Sequence, residues 1–152
     1  MNRRLCIVSV LDSVSETSMP LNEFLLYRVR MYPGIKQVVI ICDKENPNAM
    51  SLPEALEIYY VGNKVGKIKK IFRNIVDACT EKNVEVIVHL HQIKSALAFF
   101  KANFFEHKYK KKVLFTVYSV YSLRSTKYKL ASTICALLAD KVTCVSEASY
   151  EE

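Results

Sequence analysis

The stretch VEVIVHLHQIKSALAFF, residues 84–100, decides which fold the sequence predicts. Residues 84–89 are apolar or β-branched at almost every position, which is typical of a parallel strand buried on both faces. A segment with helical spacing, residues 92–105, follows almost at once. A buried strand that runs directly into a helix is the repeating unit of an α/β protein.

The same alternation continues in both directions from this stretch. Pro20 suits a first helical turn, and Pro33-Gly34 is a stop signal. Six strands and four crossover helices predict an α/β fold with a doubly wound, mainly parallel six-stranded Rossmann-like sheet and helices on both faces, within a single domain over residues 1–152. The predicted strands are 4–11, 37–42, 56–61, 84–89, 112–118 and 141–145, and the helices are 21–31, 64–82, 92–105 and 127–139.

Composition limits the class of protein. Of 152 residues, 51% are hydrophobic and 24% charged, which predicts a globular chain rather than disorder. No apolar run is long enough for a membrane span, and the five scattered cysteines favour reduced core thiols, so we expect a cytoplasmic protein. The net charge of +7 is concentrated in residues 64–73 and 107–112, which favours a polyanionic partner or simply a solvated face.

Several familiar chemistries are excluded by missing motifs. The sequence has no GxGxxG after the first strand, no GxxxxGK[ST] and no GxSxG. His89 and His91 share one face of their strand, but no third ligand has suitable spacing, so we predict no metal and no bound cofactor. We interpret His89 as a hydrogen-bonded core histidine, and His91, just past the strand, as the better site candidate.

Three motifs in order resemble one enzyme family. They are VIVHLHQIKSALAFFKANFF (86–105), KKVLFTVYS (111–119) and LLADKVTCVSEAS (137–149). Together they are similar to the acceptor-side N-terminal domain of GT-B glycosyltransferases of the family 4 type. The resemblance implies transfer of a sugar from a nucleotide-sugar donor to a saccharide or lipid-linked acceptor. It favours a retaining reaction in cell-envelope or capsule polysaccharide synthesis, with the donor bound mainly by a C-terminal domain absent from this chain.

The resemblance also assigns site residues, after the strands whose carboxyl ends form the ligand crevice. Tyr118 and His91 are the catalytic candidates, although the family usually has a histidine at the tyrosine position, and a phenol does not replace an imidazole as an acid or base near neutral pH. Ser146 and Glu147 match the segment that faces the interdomain cleft. The acceptor-binding candidates are Ser13, Ser15, Glu16, Thr17, Ser119, Arg124 and Lys127.

The basic second helix and the missing donor domain leave further interpretations open. The cations of the second helix, next to Ile71 and Phe72, suggest a peripheral position on an anionic inner membrane face. The alternatives are a noncatalytic Rossmann-like partner subunit and a basic nucleic-acid-binding module. Nucleic acid is not the expected partner, since Tyr109 and Tyr128 are the only obvious aromatics near basic residues. The predicted membrane-surface residues are Lys64, Lys67, Lys69, Lys70 and Arg73.

Overall fold

The computed structural model describes residues 4–14, 19–44, 52, 54–62, 64–103, 111–118 and 125–144. Within these ranges the strands and helices follow the predicted order, in which the third strand comes after the second with no predicted helix between them. In chain order the elements are β1 (Arg4–Leu11), α1 (Met19–Met31), β2 (Lys36–Ile41), β3 (Glu57–Tyr60), α2 (Val65–Glu81), β4 (Val84–Leu90), α3 (Ile93–Asn103), β5 (Lys111–Val117), α4 (Thr126–Leu138) and β6 (Lys141–Cys144).

The six strands form one parallel sheet in the order β3-β2-β1-β4-β5-β6, which confirms the predicted fold class. Val8 in β1 pairs with Val38 on one side and with Val88 on the other, so the centre of the sheet is a β-branched ladder. From β1 the chain builds outward to β2 and β3, and then crosses back to β4 on the other side. The carboxyl ends of β1 and β4 are therefore the topological switch point, where such sheets bind ligands.

Three helices cover one face of the sheet. Val8 and Val10 of β1 belong to a buried cluster with residues of α2, α3 and α4. Phe72 of α2 and Phe99 of α3 are fully buried and meet edge to face, with ring centroids 5.0 Å apart. The buried positions of α2 lie on the apolar stripe expected from its helical spacing; they are Ile68, Phe72, Ile75, Val76 and Cys79.

The opposite face carries α1. Leu21 and Leu25 of this helix pack on Leu11, Val39 and Ile41, which alternate along β1 and β2 with the residues of the larger cluster. Helices therefore lie on both faces, as predicted. In the part of the chain that the structure describes, α1 covers β1 and β2 on this face, while Val142 of β6 is 43% exposed.

Local sequence signals explain where two of the helices begin and end. The side chain of Ser125 accepts a hydrogen bond from the Tyr128 amide and caps α4. Asn83, directly after α2, has a φ of 52°, the left-handed conformation in which helices often end. All five cysteines are free, and four of them are buried as expected, with Cys144 half-buried.

Within the described ranges, no helix combines the length and the apolar character that crossing a lipid bilayer requires.

Candidate functional site

A cleft of about 650 Å³ opens at the switch point between β1 and β4. Its walls come from the ends of β1, β4 and β5 and from the first turns of α3 and α4. Leu97 and Val117 give it apolar walls, and the amino end of α3 brings exposed backbone amides and a positive dipole end. The polar side chains lining it include Asp12, His91, Gln92, Lys94, Tyr118 and Lys127.

His91 is the fully buried polar residue of this cleft. Its backbone amide donates to the Val10 carbonyl, 3.3 Å away, which fixes the residue at the switch point. Its Nδ1 lies 2.8 Å from the Tyr118 hydroxyl, whereas Nε2 has no hydrogen-bond partner among the described residues. Burial, followed by His89 and Arg28, holds the pKa of His91 well below 6.5, so the imidazole is neutral near pH 7.

Tyr118 lies at the mouth of the cleft with 40% of its surface exposed. Burial of the hydroxyl raises the pKa of Tyr118 to about 12, so the phenol stays protonated. Tyr118 therefore serves as a hydrogen-bonding partner of His91, and not as a base.

His89 lies behind His91, with ring centroids 3.7 Å apart and ring planes tilted by 36°. His89 Nε2 is 2.7 Å from the Thr116 hydroxyl, which in turn lies 2.8 Å from the Thr143 hydroxyl. Burial and the nearby Arg28 lower the pKa of His89 to about 4. The structure thus confirms His89 as a hydrogen-bonded core histidine.

Arg28 of α1 is a buried residue that sequence reasoning missed. Its Nε donates to Gln37 Oε1 at 2.6 Å, one terminal nitrogen donates to Ser9 Oγ at 2.9 Å, and the guanidinium lies over the Phe24 ring. Burial lowers the pKa of Arg28 to about 10, which leaves it charged near pH 7. A signal was available, because Arg28 falls seven residues after Leu21 on the stripe of α1 that faces the sheet.

Asp12 is the second residue that the candidates omitted. It is the first residue after β1, its backbone amide donates to Gln92 Oε1 at 2.7 Å, and its own Oδ1 is buried without a partner. Burial raises the pKa of Asp12 above 3.8, while Ser95 and Lys94 act in the opposite direction. A carboxylate directly after a central strand was the sequence signal for this position.

The structure brings three of the sequence candidates together, because His91, Tyr118 and Lys127 line the same cleft. Ser13 follows Asp12 and is half-buried, but it does not line the cleft. The remaining candidates lie outside the described residues; they are Ser15, Glu16, Thr17, Ser119, Arg124, Ser146 and Glu147.

The basic face of α2 differs from the expectation in one respect. Lys69 is half-buried, and the other predicted membrane-surface cations, Lys64, Lys67, Lys70 and Arg73, are exposed. The apolar neighbours that suggested lipid contact are turned inward: Phe72 is fully buried, and Ile71 packs against the same core. That part of the reasoning was wrong, because the spacing that makes α2 amphipathic directs both residues to the sheet.

Two further expectations bear on ligands. Within the described ranges, no group of three or more histidine, cysteine, aspartate or glutamate residues is arranged to hold a metal ion. Tyr128, proposed as a base-stacking aromatic, is half-buried and lines the cleft, and Tyr109 is outside the described residues.

Comparison with known proteins supports the fold. No protein-family model and no curated protein matches the sequence. Among solved structures, one match is a Listeria monocytogenes protein assigned as a UDP-N-acetylglucosamine 2-epimerase, with a TM-score of 0.58 and 11% identity. The match covers 97% of this chain and 41% of that protein, so the chain spans about two fifths of its length. This likeness supports a Rossmann-like domain of the GT-B kind.

Proposed function

We propose that this chain is the acceptor-binding half of a glycosyltransferase, which holds a saccharide or lipid-linked saccharide while a sugar is transferred from a nucleotide-sugar. The observation that carries the proposal is the convergence of His91, Tyr118 and Lys127 in one cleft at the switch point. All three were chosen from the sequence, and His91 and Tyr118 are 27 residues apart in the chain.

The chemistry of the cleft suits a saccharide. A neutral imidazole, a protonated phenol and a carboxylate with an unpartnered oxygen offer hydrogen bonds to hydroxyl groups, while Leu97 and Val117 provide apolar contact. None of the described lining groups is arranged as an activated nucleophile or metal site. The cleft therefore fits binding and orientation of a sugar better than a hydrolytic reaction.

Positive charge at the cleft favours an acceptor that carries phosphate. Lys94 and Lys127 line the cleft, and the amino end of α3 adds backbone donors beside them. Lys94 has a matched control on its own helix, because Lys101 is also exposed but lies about 10 Å further along the axis. Lys94→Gln and Lys127→Gln are expected to weaken binding of glucose 1-phosphate but not of glucose, and Lys101→Gln is expected to change neither.

The division of labour between two halves is tested by a transfer assay. UDP-N-acetylglucosamine is the first donor to use, since the structural neighbour is assigned to that sugar nucleotide. We expect the 152-residue chain to bind simple saccharides and to transfer no sugar alone, because in the proposed division of labour the donor contacts belong to the other half of the enzyme. Sugar transfer by the isolated chain would refute this division, and tight binding of the nucleotide-sugar with none of the saccharide would reverse the assignment.

We also propose that the chain binds at an anionic membrane surface, where it would meet a lipid-linked acceptor. With Phe72 buried, attraction rests on the cations of α2, each worth about 1 kcal/mol near such a surface. Sedimentation with anionic vesicles should exceed that with neutral vesicles and disappear as salt is added. Equal sedimentation with both kinds of vesicle would remove the membrane from the proposal.

A second candidate, a noncatalytic partner subunit, draws support from α4. Its outer side exposes a row of apolar residues at helical spacing, which is typical of a surface that contacts another domain or chain. A chain that associates with a second protein but binds neither saccharide nor nucleotide-sugar would favour this candidate. The exposed fractions are 64% for Leu130, 40% for Ile134, 80% for Leu137 and 41% for Leu138.

A further inference from the structure

The outer side of α4 carries four exposed apolar residues, which we call the apolar row. They fall on one side of the helix at i, i+4, i+7 and i+8 spacing, and they are Leu130, Ile134, Leu137 and Leu138. The row lies away from Cys135, which is fully buried against the sheet. Because a helix that is apolar on all sides is normally buried on all sides, we expect a further protein surface to cover the row.

The exposed apolar surface continues from α4 to the edge of the sheet. Val142 of β6 is 43% exposed, and it pairs with Phe115, so it lies on the face of the sheet that α4 covers. The row and Val142 together expose on the order of 400 Å² of apolar surface, about half of what each partner buries in a standard interface. An apolar centre of this size, completed by a polar rim, has the usual anatomy of a protein–protein contact.

The charges of α4 are concentrated at one end. Lys127 and Lys129 are the only charged residues of the helix, and they lie at its amino end, where the helix dipole is positive. At the carboxyl end the dipole is negative, and the exposed Asp140 follows, while Lys141 alternates with Val142 and so points to the other face of the sheet. A second α4 in antiparallel orientation would thus place each positive end beside a negative end.

The spacing of the row suits contact with itself. Ile134 lies midway between Leu130 and Leu138, four residues from each. In a two-fold symmetric contact the same patch meets itself, so Ile134 would lie near the axis and Leu130 of one copy would meet Leu138 of the other. Both the charges and the spacing therefore favour a second copy of this chain as the partner.

We propose that α4 packs antiparallel against α4 of a second copy of this chain, so that the chain forms a two-fold symmetric dimer. This contact does not depend on the function proposed above. The residues of α4 that line the cleft are Lys127, Tyr128 and Ala131, and none of them belongs to the apolar row.

Sedimentation velocity of the free chain, from about 1 to about 100 μM, tests the pairing. We expect the dimer fraction to rise with concentration and assembly to stop at two copies. Leu137→Lys removes the side chain that is 80% exposed and places a cation near the amino end of the partner helix, so it should raise the Kd of the dimer at least about tenfold. Leu137→Glu places the opposite charge there and should raise the Kd by less.

Tyr27→Lys is the matched control, because Tyr27 is 57% exposed on α1, and it should leave the Kd unchanged. Circular dichroism checks that all three variants are folded. A chain that stays monomeric at every concentration would overturn the proposal and assign the row to a different partner. Assembly beyond two copies, or a dimer weakened by Tyr27→Lys and not by Leu137→Lys, would overturn it as well.

The orientation and the independence from the cleft have their own outcomes. Equal weakening by Leu137→Lys and Leu137→Glu would overturn the antiparallel arrangement, since a parallel pair would place each new charge beside its own copy. No saccharide is present during sedimentation. A dimeric chain that binds no sugar would leave the pairing standing and remove the acceptor site, whereas a monomeric chain that binds sugar would do the reverse.

Discussion

Replacing Tyr118 by phenylalanine removes the hydroxyl that hydrogen-bonds to His91, the fully buried polar residue of the cleft. In the native chain that hydroxyl lies 2.8 Å from His91 Nδ1, and His91 is fully buried with its other nitrogen already unpartnered. The phenylalanine ring can occupy the place of the tyrosine ring, so the variant loses the hydroxyl with little other change in shape. The variant therefore contains a buried imidazole with no described side-chain partner.

The size of the effect follows from that geometry. Leaving one buried polar atom unsatisfied costs about 1–3 kcal/mol, whereas a hydrogen bond exchanged for water changes stability by less. Each kcal/mol shifts the Tm of a domain of this size by about 2–4 °C. Tyr118→Phe should thus lower the free energy of unfolding by about 1–3 kcal/mol, without changing the dependence on denaturant.

Urea unfolding followed by circular dichroism measures this difference directly. Tyr27→Phe is the matched control, because Tyr27 loses the same hydroxyl at a position that is 57% exposed, and it should remain within about 0.5 kcal/mol of the wild type. If Tyr118→Phe unfolds at the same urea concentration as Tyr27→Phe, the hydroxyl does not satisfy His91, and the described site geometry is wrong.

Three further outcomes follow from the same structure. The folded-state pKa of His89, about 4, lies below the usual 6.5, so the unfolded chain binds the proton first as the pH is lowered. The free energy of unfolding should therefore fall as the pH drops from about 6.5 to about 4, by at most about 3 kcal/mol. Urea unfolding of His89→Gln across this range should lack that part of the decline, and an unchanged decline would contradict the expectation. Burial raises the pKa of Asp12, so the ionised form is disfavoured in the fold: Asp12→Asn should raise the Tm near pH 7, with no gain near pH 3, while weakening saccharide binding. Phe72→Ala should cost about 3–5 kcal/mol in urea unfolding, since Phe72 is fully buried against Phe99, and a loss under 1 kcal/mol would argue against that packing.

The fold was predictable because its strands carry their own signal. Val38, Val39 and Ile40 are buried on both faces of the sheet, and their β-branched side chains mark a parallel strand without any tertiary information. The apolar stripe of α2 could also be predicted from the sequence, because a helix that buries one face repeats its apolar residues with helical periodicity. His91 could be chosen because the end of a central strand is where such sheets bind ligands.

The electrostatic environment of the site could not be predicted from the sequence in the same way. Arg28 reaches Ser9 of β1 and Gln37 of β2 because α1 packs across both strands. Its place on the sheet-facing stripe of α1 could be read from the sequence, but its two partners could not. The partners of the two histidines lie 27 residues away, Thr116 on β5 and Tyr118 directly after it, so the pairing depends on strand order and register. The apolar stripe of α2 predicts that Phe72 faces the sheet, whereas the exposed lysines of the same helix do not indicate in sequence whether they meet water or an anionic surface.

The central claim is that the cleft at the ends of β1, β4 and β5 holds a saccharide, and amide NMR shifts during titration with glucose and N-acetylglucosamine test it most directly. The account predicts shifts at Asp12, Gln92, Lys94 and Lys127, which weaken in His91→Gln and persist in Lys101→Gln. Shifts confined to the basic face of α2, or none at any saccharide concentration, would contradict it.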